Sequence, residues 1–295
     1  MGGEEIVECV PNFSEGCDPA IVEAIANAIA SVPQVAVLHQ TMDADHNRSV
    51  ITFAGSADRI VEAAVRGVDK AVALIDLSRH HGVHPRIGAA DVVPFVPLRG
   101  ISVAGCARLA EDAGQEIWRR LRVPVYLYEA AARREDWKRL ENVRRDAGRA
   151  APDIGGPQLH ATAGAVAVGA RKFLIAWNVN LLTADVSIAK AIARKIRASS
   201  GGFPHVKALG LMLASRNQAQ VSMNLTDFEV TPMRIVFDEI QRQAEAHGTG
   251  IDASELIGLI PQAALEPASA AYLRIGGFEC GMILEDRLAA LLAVE

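Results

Sequence analysis

The chain has 295 residues, half of them hydrophobic, with a formal net charge of -5 and four cysteines (Cys9, Cys17, Cys106, Cys280) in no CxxC pair. Such a chain can bury one large core or two ordinary ones, which excludes general disorder. The acidic balance argues against a nucleic-acid binder, and the scattered cysteines argue against a disulfide framework or zinc finger. The acidic start MGGEEIVECV is no secretory signal and no run is long enough to span a bilayer, so a cytoplasmic protein with small-molecule partners is expected, with neither nucleic acid nor membrane.

In chain order, Glu4 to Val10 reads as a strand, and Asp18-Pro19 as a helix start with aspartate capping and proline at the first helical position. Apolar spacing through Ile21, Ile25 and Ile29 continues that helix. QVAVLH and RSVITFAG are two further strands, joined by the polar QTMDADHN, and Ser56 is placed to cap a helix through ADRIVEAAVRGVDKAVALI. DVVPFVPL is a fourth strand whose prolines suggest a distorted or edge position. A helix from about Ser102 to Arg120 and the strand VPVYLYE follow. RRDAGRAAPDIGGPQLHATAGA, rich in Gly, Ala and Pro, reads as a linker.

After a boundary near Arg171 the order recurs: the strand KFLIAWNVN, a helix opened by Thr183, the strands VKALGLMLA and QAQVSMNL, a helix opened by Thr231-Pro232, and a last strand ELIGLIP. Two βαββαβ series predict an α+β fold of two ferredoxin-like subdomains, residues 1–170 and 171–295.

In a split βαβ sheet the loop after the first strand, the hairpin between the second and third, and the entry to the fourth share one end. PNFSEGC, QTMDADHN and RHHGVHPRIGAAD are therefore expected to converge. The last holds three of the chain's eight histidines. Three readings compete there. A metal site would need Asp91 or Asp45 beside the histidines, and Gly82 and Pro85 spoil the helix on which His80 and His84 would share a face. A solvated loop fits His80 and His81. A catalytic base fits His84, which Pro85 biases toward an extended backbone, with Arg86 beside it to clamp a carboxylate. Arg48 and Arg171 are further candidates for an anion, Arg48 having a surface ion pair as its plain alternative.

VECVPNFSEG, DADHNRSVITFAG, HPRIGAADVVPFVPL, VPVYLYEAA, GARKFLIAWNVNLL and AQVSMNLTDFEVT resemble, in order and from about Ile6 to Leu284, the formiminotransferase family. The resemblance implies a folate-dependent one-carbon transferase that moves a formimino group between N5 of tetrahydrofolate and the amine of glutamate. It also implies two subdomains whose mixed sheets face each other, with helices outside and a substrate groove between, a place in histidine catabolism, tetrahydrofolate as substrate with no metal, and a homodimer. The family's catalytic histidine lies in an HPR triplet, here His84. The folate-contacting stretch maps onto Gly155, Gly156, Pro157, Gln158, Leu159, His160, Ala161, Thr162, Ala163 and Gly164. Arg86, Arg48, Asn12, Ser14, Thr41, Asp43 and Asp45 become candidate substrate contacts, with Glu15 at the same end.

The chain departs from the family pattern at three places: Thr41 stands where an acidic residue is usual, Val83 where a glutamate is usual, and the segment between ENVRR and APDIGG is shorter. Another folate formyl or formimino transfer, or folate binding without turnover, are the competing expectations. No cyclodeaminase domain is expected after Glu295, and with it no channelling within this chain.

Overall fold

The computed structural model of the chain describes residues 5–82, 85–265 and 269–292. Two compact units divide it, Met1–Lys172 and Phe173–Glu295.

In the first unit the elements run β1 (Ile6–Cys9), β2 (Asn12–Phe13), α1 (Pro19–Ala30), β3 (Val35–Asp43), β4 (Arg48–Ser56), α2 (Ala57–Leu74), β5 (Ala90–Arg99), α3 (Val103–Leu121), β6 (Val125–Glu129), α4 (Leu140–Asp146) and β7 (Val166–Ala170). β1 and β2 are two pieces of one interrupted strand, and both pair antiparallel with β4 and β5. β3 pairs with β4 on one side, while β7 and then β6 extend the sheet beyond β5 in parallel. The βαββαβ series is thus present, enlarged by α3, β6 and β7.

Helix starts follow local chemistry. Asp18 accepts the Ala20 N–H at 2.9 Å with Pro19 opening α1, and Ser102 accepts the Gly105 N–H at 3.1 Å to open α3. Ser56 stands at the N-cap of α2, as expected, but its hydroxyl makes no capping bond. α1, α2 and α3 cover one face of the sheet, burying Ile25, Ile29, Phe53, Phe95, Ile117 and their neighbours. The opposite face carries a smaller core in which Trp137 and Val143 of the excursion between β6 and β7 pack on Tyr126, Val92 and Ala167.

Two expectations are corrected here. β5 is an interior strand, so of the distorted or edge position expected for it the edge is overturned and the distortion is present. Its prolines are accommodated by register shifts opposite Ile6/Val7 and Asn12/Phe13, and the Pro94 carbonyl still accepts the Val10 N–H at 3.2 Å. The stretch read as a linker is part of the first unit: Ile154, Ala163 and Ala165 are buried, and β7 follows directly. All five residues of β7 are buried, so it shows none of the alternation that marks a half-exposed strand.

The second unit contains β8 (Ile175–Leu181), α5 (Val186–Ile196), β9 (Val206–Leu213), β10 (Gln218–Leu225), α6 (Met233–Ala246), β11 (Ile251–Ile257), α7 (Ser269–Tyr272) and α8 (Leu284–Leu292). Its antiparallel sheet has the order β11-β8-β10-β9 expected of a ferredoxin-like unit. α5 and α6 bury Trp177, Val179, Ile192 and Phe237 against one face. α5 is capped by Asp185, which accepts the Ser187 N–H at 2.8 Å, not by Thr183, whose hydroxyl accepts from Asp185. The last strand lies earlier than ELIGLIP suggests. Leu259 and Ile260 are buried beyond its end, where Ile260 bridges Ile283, so an apolar run here marks a packed loop.

Candidate functional site

The three polar loops of the first unit meet on one residue, Asn47, at the end of the β3–β4 hairpin. Its backbone has φ of 45°, a left-handed conformation that asparagine tolerates. Its side-chain oxygen accepts the Gly16 N–H at 2.9 Å and its amide donates to the His81 carbonyl at 2.7 Å. Its own carbonyl accepts from His80 Nε2 at 3.1 Å and from Arg86 at 3.4 Å. Glycines permit the approach. A Cβ on Gly16 would stand 2.1 Å from the Asp43 carbonyl, and one on Gly82 would stand 2.6 Å from both Arg86 NH2 and the His46 carbonyl. The sequence reading missed Asn47. Its position before Arg48, at the tight end of a hairpin, was the available signal.

Arg86 spends its guanidinium inside this knot, on His80, on the Asn47 carbonyl and on the His46 carbonyl at 3.2 Å. His80 is held below the usual histidine range by burial first and by the Arg86 charge second. A neutral ring with Nε2 donating to Asn47 satisfies both neighbours. His81 is exposed. Ser14 is buried, its hydroxyl donating to the Gly88 carbonyl at 2.8 Å and its N–H to Ala89 at 2.8 Å. Glu15 accepts the Cys17 and Asp18 N–H groups at the entry to α1. Asp43 accepts the His46 N–H at 2.8 Å, which closes the hairpin, and Asp45 lies in the same turn, partly exposed. His84 and Val83 lie outside the described residues; Gly82 and Pro85 on either side are within them.

Beside the knot, Arg48 donates Nε to Asn12 at 3.1 Å and NH1 to Asp91 at 2.7 Å. Asp91, fully buried in β5, also accepts Arg144 NH2 from α4 at 2.7 Å and the Ile87 N–H at 2.7 Å. Burial alone would raise its carboxyl, but Arg144, Arg48 and these hydrogen bonds outweigh it and hold Asp91 well below the usual carboxylate range. Arg144 was not among the sequence candidates. Nothing local distinguishes it from Arg145, whose guanidinium pairs with Asp146 on the surface.

Cross-strand pairing sets Thr41 opposite Val50, Val50 opposite Asn12, and Asn12 opposite Val92. Thr41 therefore stands in the same row as Asn12, two strands away, roughly 10 Å at ordinary strand spacing. The stretch from Gly155 to Gly164 divides. Its second half forms a tight loop, His160 and Gly164 exchanging backbone bonds of 2.8 and 2.9 Å. That loop is sewn to the histidine segment through Leu77 N–H to the Thr162 carbonyl and Ala89 N–H to the Ala163 carbonyl. Its first half lies elsewhere: a Cβ on Gly155, whose φ is 107°, would stand 2.7 Å from the Trp118 ring of α3.

Further along the β1–β4 pairing, Glu8 is buried with Oε2 lacking any partner among the described residues. Burial raises its carboxyl to about 7, with Arg171 opposing the shift. Arg171 also faces the buried Tyr128 hydroxyl. Among the described residues no group of three or more His, Cys, Asp or Glu side chains is disposed to hold a metal ion, and no helix is long and apolar enough to cross a membrane.

The fold and the loops together define an α+β protein whose polar, arginine-bearing end is built from three segments distant in sequence. Residues 6–171 match the family model described as the formiminotransferase domain, N-terminal subdomain, and residues 176–294 match that of the formiminotransferase domain. The chain is 43% identical to the glutamate formimidoyltransferase of Thermoplasma acidophilum, with 96% of this chain and 97% of that protein covered. It is 41% identical to the glutamate formimidoyltransferase of Streptococcus pyogenes serotype M1, covering 96% and 99%. It is also 41% identical to the formimidoyltransferase-cyclodeaminase of Gallus gallus, over 92% of this chain and 53% of that longer protein. The chain belongs to the formiminotransferase family and is a transferase enzyme.

Proposed function

We propose that this enzyme transfers a formimino group between the amine of glutamate and N5 of tetrahydrofolate, with His84 as the general acid and base. The observation that carries the reading is the knot on Asn47. It brings the segments flanking His84, the arginine pair on Asp91 and the His160–Gly164 loop to one end of the first unit, in a chain so similar to two glutamate formimidoyltransferases. In the transfer, the incoming amine nitrogen attacks the formimino carbon and loses a proton to the histidine. The tetrahedral adduct then expels the other amine, which receives that proton as its bond to carbon breaks. Such acid–base work is worth about 10²–10⁴-fold, and alignment of the two reactants contributes comparably or more. Asp43 or Asp45 orients His84 or stabilises the cationic amidinium.

The test is turnover of formiminoglutamate with tetrahydrofolate by wild type and by His84→Ala, His80→Ala and His81→Ala. The expected result is a loss of about 10²–10⁴-fold for His84→Ala at unchanged thermal stability, and much smaller losses for the exposed His81 and for His80. Near-normal turnover in all three variants would overturn the role of His84. Transfer from a formyl donor in place of the formimino donor would replace the substrate, and tetrahydrofolate binding with no transfer would replace the activity by binding alone.

A further inference from the structure

Asp91 offers two oxygens and both are used. One accepts Arg48 NH1 and Arg144 NH2, each at 2.7 Å, and the other accepts the Ile87 N–H at 2.7 Å. Two guanidiniums from different elements, β4 and α4, are thereby pinned to one buried oxygen. Both remain reachable, their side chains being 12% and 18% exposed. Arg48 has a further donor on Asn12, which leaves its NH2 with no acceptor among the described residues. Arg144 makes only the Asp91 bond there, so its NH1 is unused and its buried Nε has no acceptor. Arg86 lies close enough to feel both Asp91 and Arg144. Three guanidiniums are thus gathered round one carboxylate in a chain whose formal net charge is -5. Asp43, the register partner of Arg48, turns one oxygen onto the His46 N–H. Concentrating like charges this way is costly without an anion to complete the set, and a planar fork with free N–H groups is matched by a carboxylate.

We infer that Arg144 and Arg48 form a subsite for a carboxylate of the amino-acid substrate, with Asp91 as the positioning residue that holds the two guanidiniums side by side. This rests on the reading of the amine substrate as glutamate. Arg144 supplies specificity: it comes from the excursion between β6 and β7 and, among the described residues, its guanidinium is held by Asp91 alone. An amine lacking the carboxylate leaves those N–H groups bare, and a substrate carrying it satisfies them.

The experiment pairs kinetics with binding on the full chain. KM for formiminoglutamate and for tetrahydrofolate is measured for wild type, Arg144→Gln, Arg144→Lys and Asp91→Asn, with thermal unfolding recorded for each. Calorimetry with glutarate, a non-reacting dicarboxylate, reports the subsite without turnover. Arg144→Gln is expected to raise KM for formiminoglutamate about 10- to 100-fold, the worth of a charge-assisted hydrogen bond, with the folate KM within about twofold. Arg144→Lys, which keeps the charge and loses the fork, is expected to recover part of the loss at wild-type thermal stability. Asp91→Asn is expected to raise the same KM. An unchanged KM for formiminoglutamate in Arg144→Gln, or an equal rise in both KM values, would overturn the subsite. If wild type fails to turn over formiminoglutamate, glutarate binding that is lost in Arg144→Gln sustains the subsite while removing formiminoglutamate as the substrate. No glutarate binding by wild type overturns the subsite itself.

Discussion

Glu8 occupies an environment that opposes its charge. A carboxyl placed in the middle of a sheet, with one oxygen unpartnered among the described residues, is pushed up to about 7 by burial despite Arg171. In the unfolded chain it ionises near 4.5. Between those values the native state holds a proton that the unfolded state has released. The stabilisation is therefore complete below 4.5 and is lost as pH rises through about 7. The shift corresponds to roughly 3 kcal/mol of stability lost over that range. Urea unfolding at pH 5 and pH 8 is expected to show wild type losing stability relative to Glu8→Gln, which has no carboxyl to titrate. Parallel pH dependence in the two proteins would remove Glu8 as the cause.

At the scale of elements, α4 reaches the site because its neighbour is nailed down. Trp137 is fully buried, stands edge-on to Tyr126 with ring centroids 5.2 Å apart, and donates its indole N–H to Asp146 at 3.0 Å. That bond joins the 3-10 turn at Glu135–Lys138 to the end of α4, the helix that carries Arg144. Trp137→Ala is expected to cost about 3–5 kcal/mol in unfolding free energy, and Trp137→Phe, which keeps most of the ring and loses the donor, about 1 kcal/mol. A Trp137→Ala protein with unaltered stability would mean that this excursion is not anchored there.

At the scale of the molecule, the two units bury separate cores that share no residue. In the second unit the face of the sheet away from α5 and α6 presents Asn178, Asn180, Gln220 and Glu255, tied in part by the Gln220 amide to Asn180 and to Glu255 at 2.9 Å each. Asn178, Asn180 and Gln220 are buried in the full chain, and in a separated unit water can satisfy these polar groups as it could not satisfy an apolar surface. Residues 173–295 expressed alone are therefore expected to unfold in one cooperative thermal transition. A broad, non-cooperative melt would show that this core needs the rest of the chain.

The amino-acid pattern alone carried the two βαββαβ series, because helix caps such as Asp18-Pro19 and half-buried strands such as QAQVSMNL are written in local chemistry and period. It also carried the meeting of the three polar loops, since strand direction in a split βαβ sheet allows no other arrangement. What was illegible shares one property: it depends on partners remote in sequence. β7 is buried on both faces and looks like a small-residue linker, and β5 keeps its prolines inside the sheet by shifting register against two strand pieces. Asn47 matters for what it bonds 31 and 34 residues away, and Arg144 for a carboxylate 53 residues away. Such side chains take their meaning from geometry set by the packed core, so no neighbouring residue betrays them.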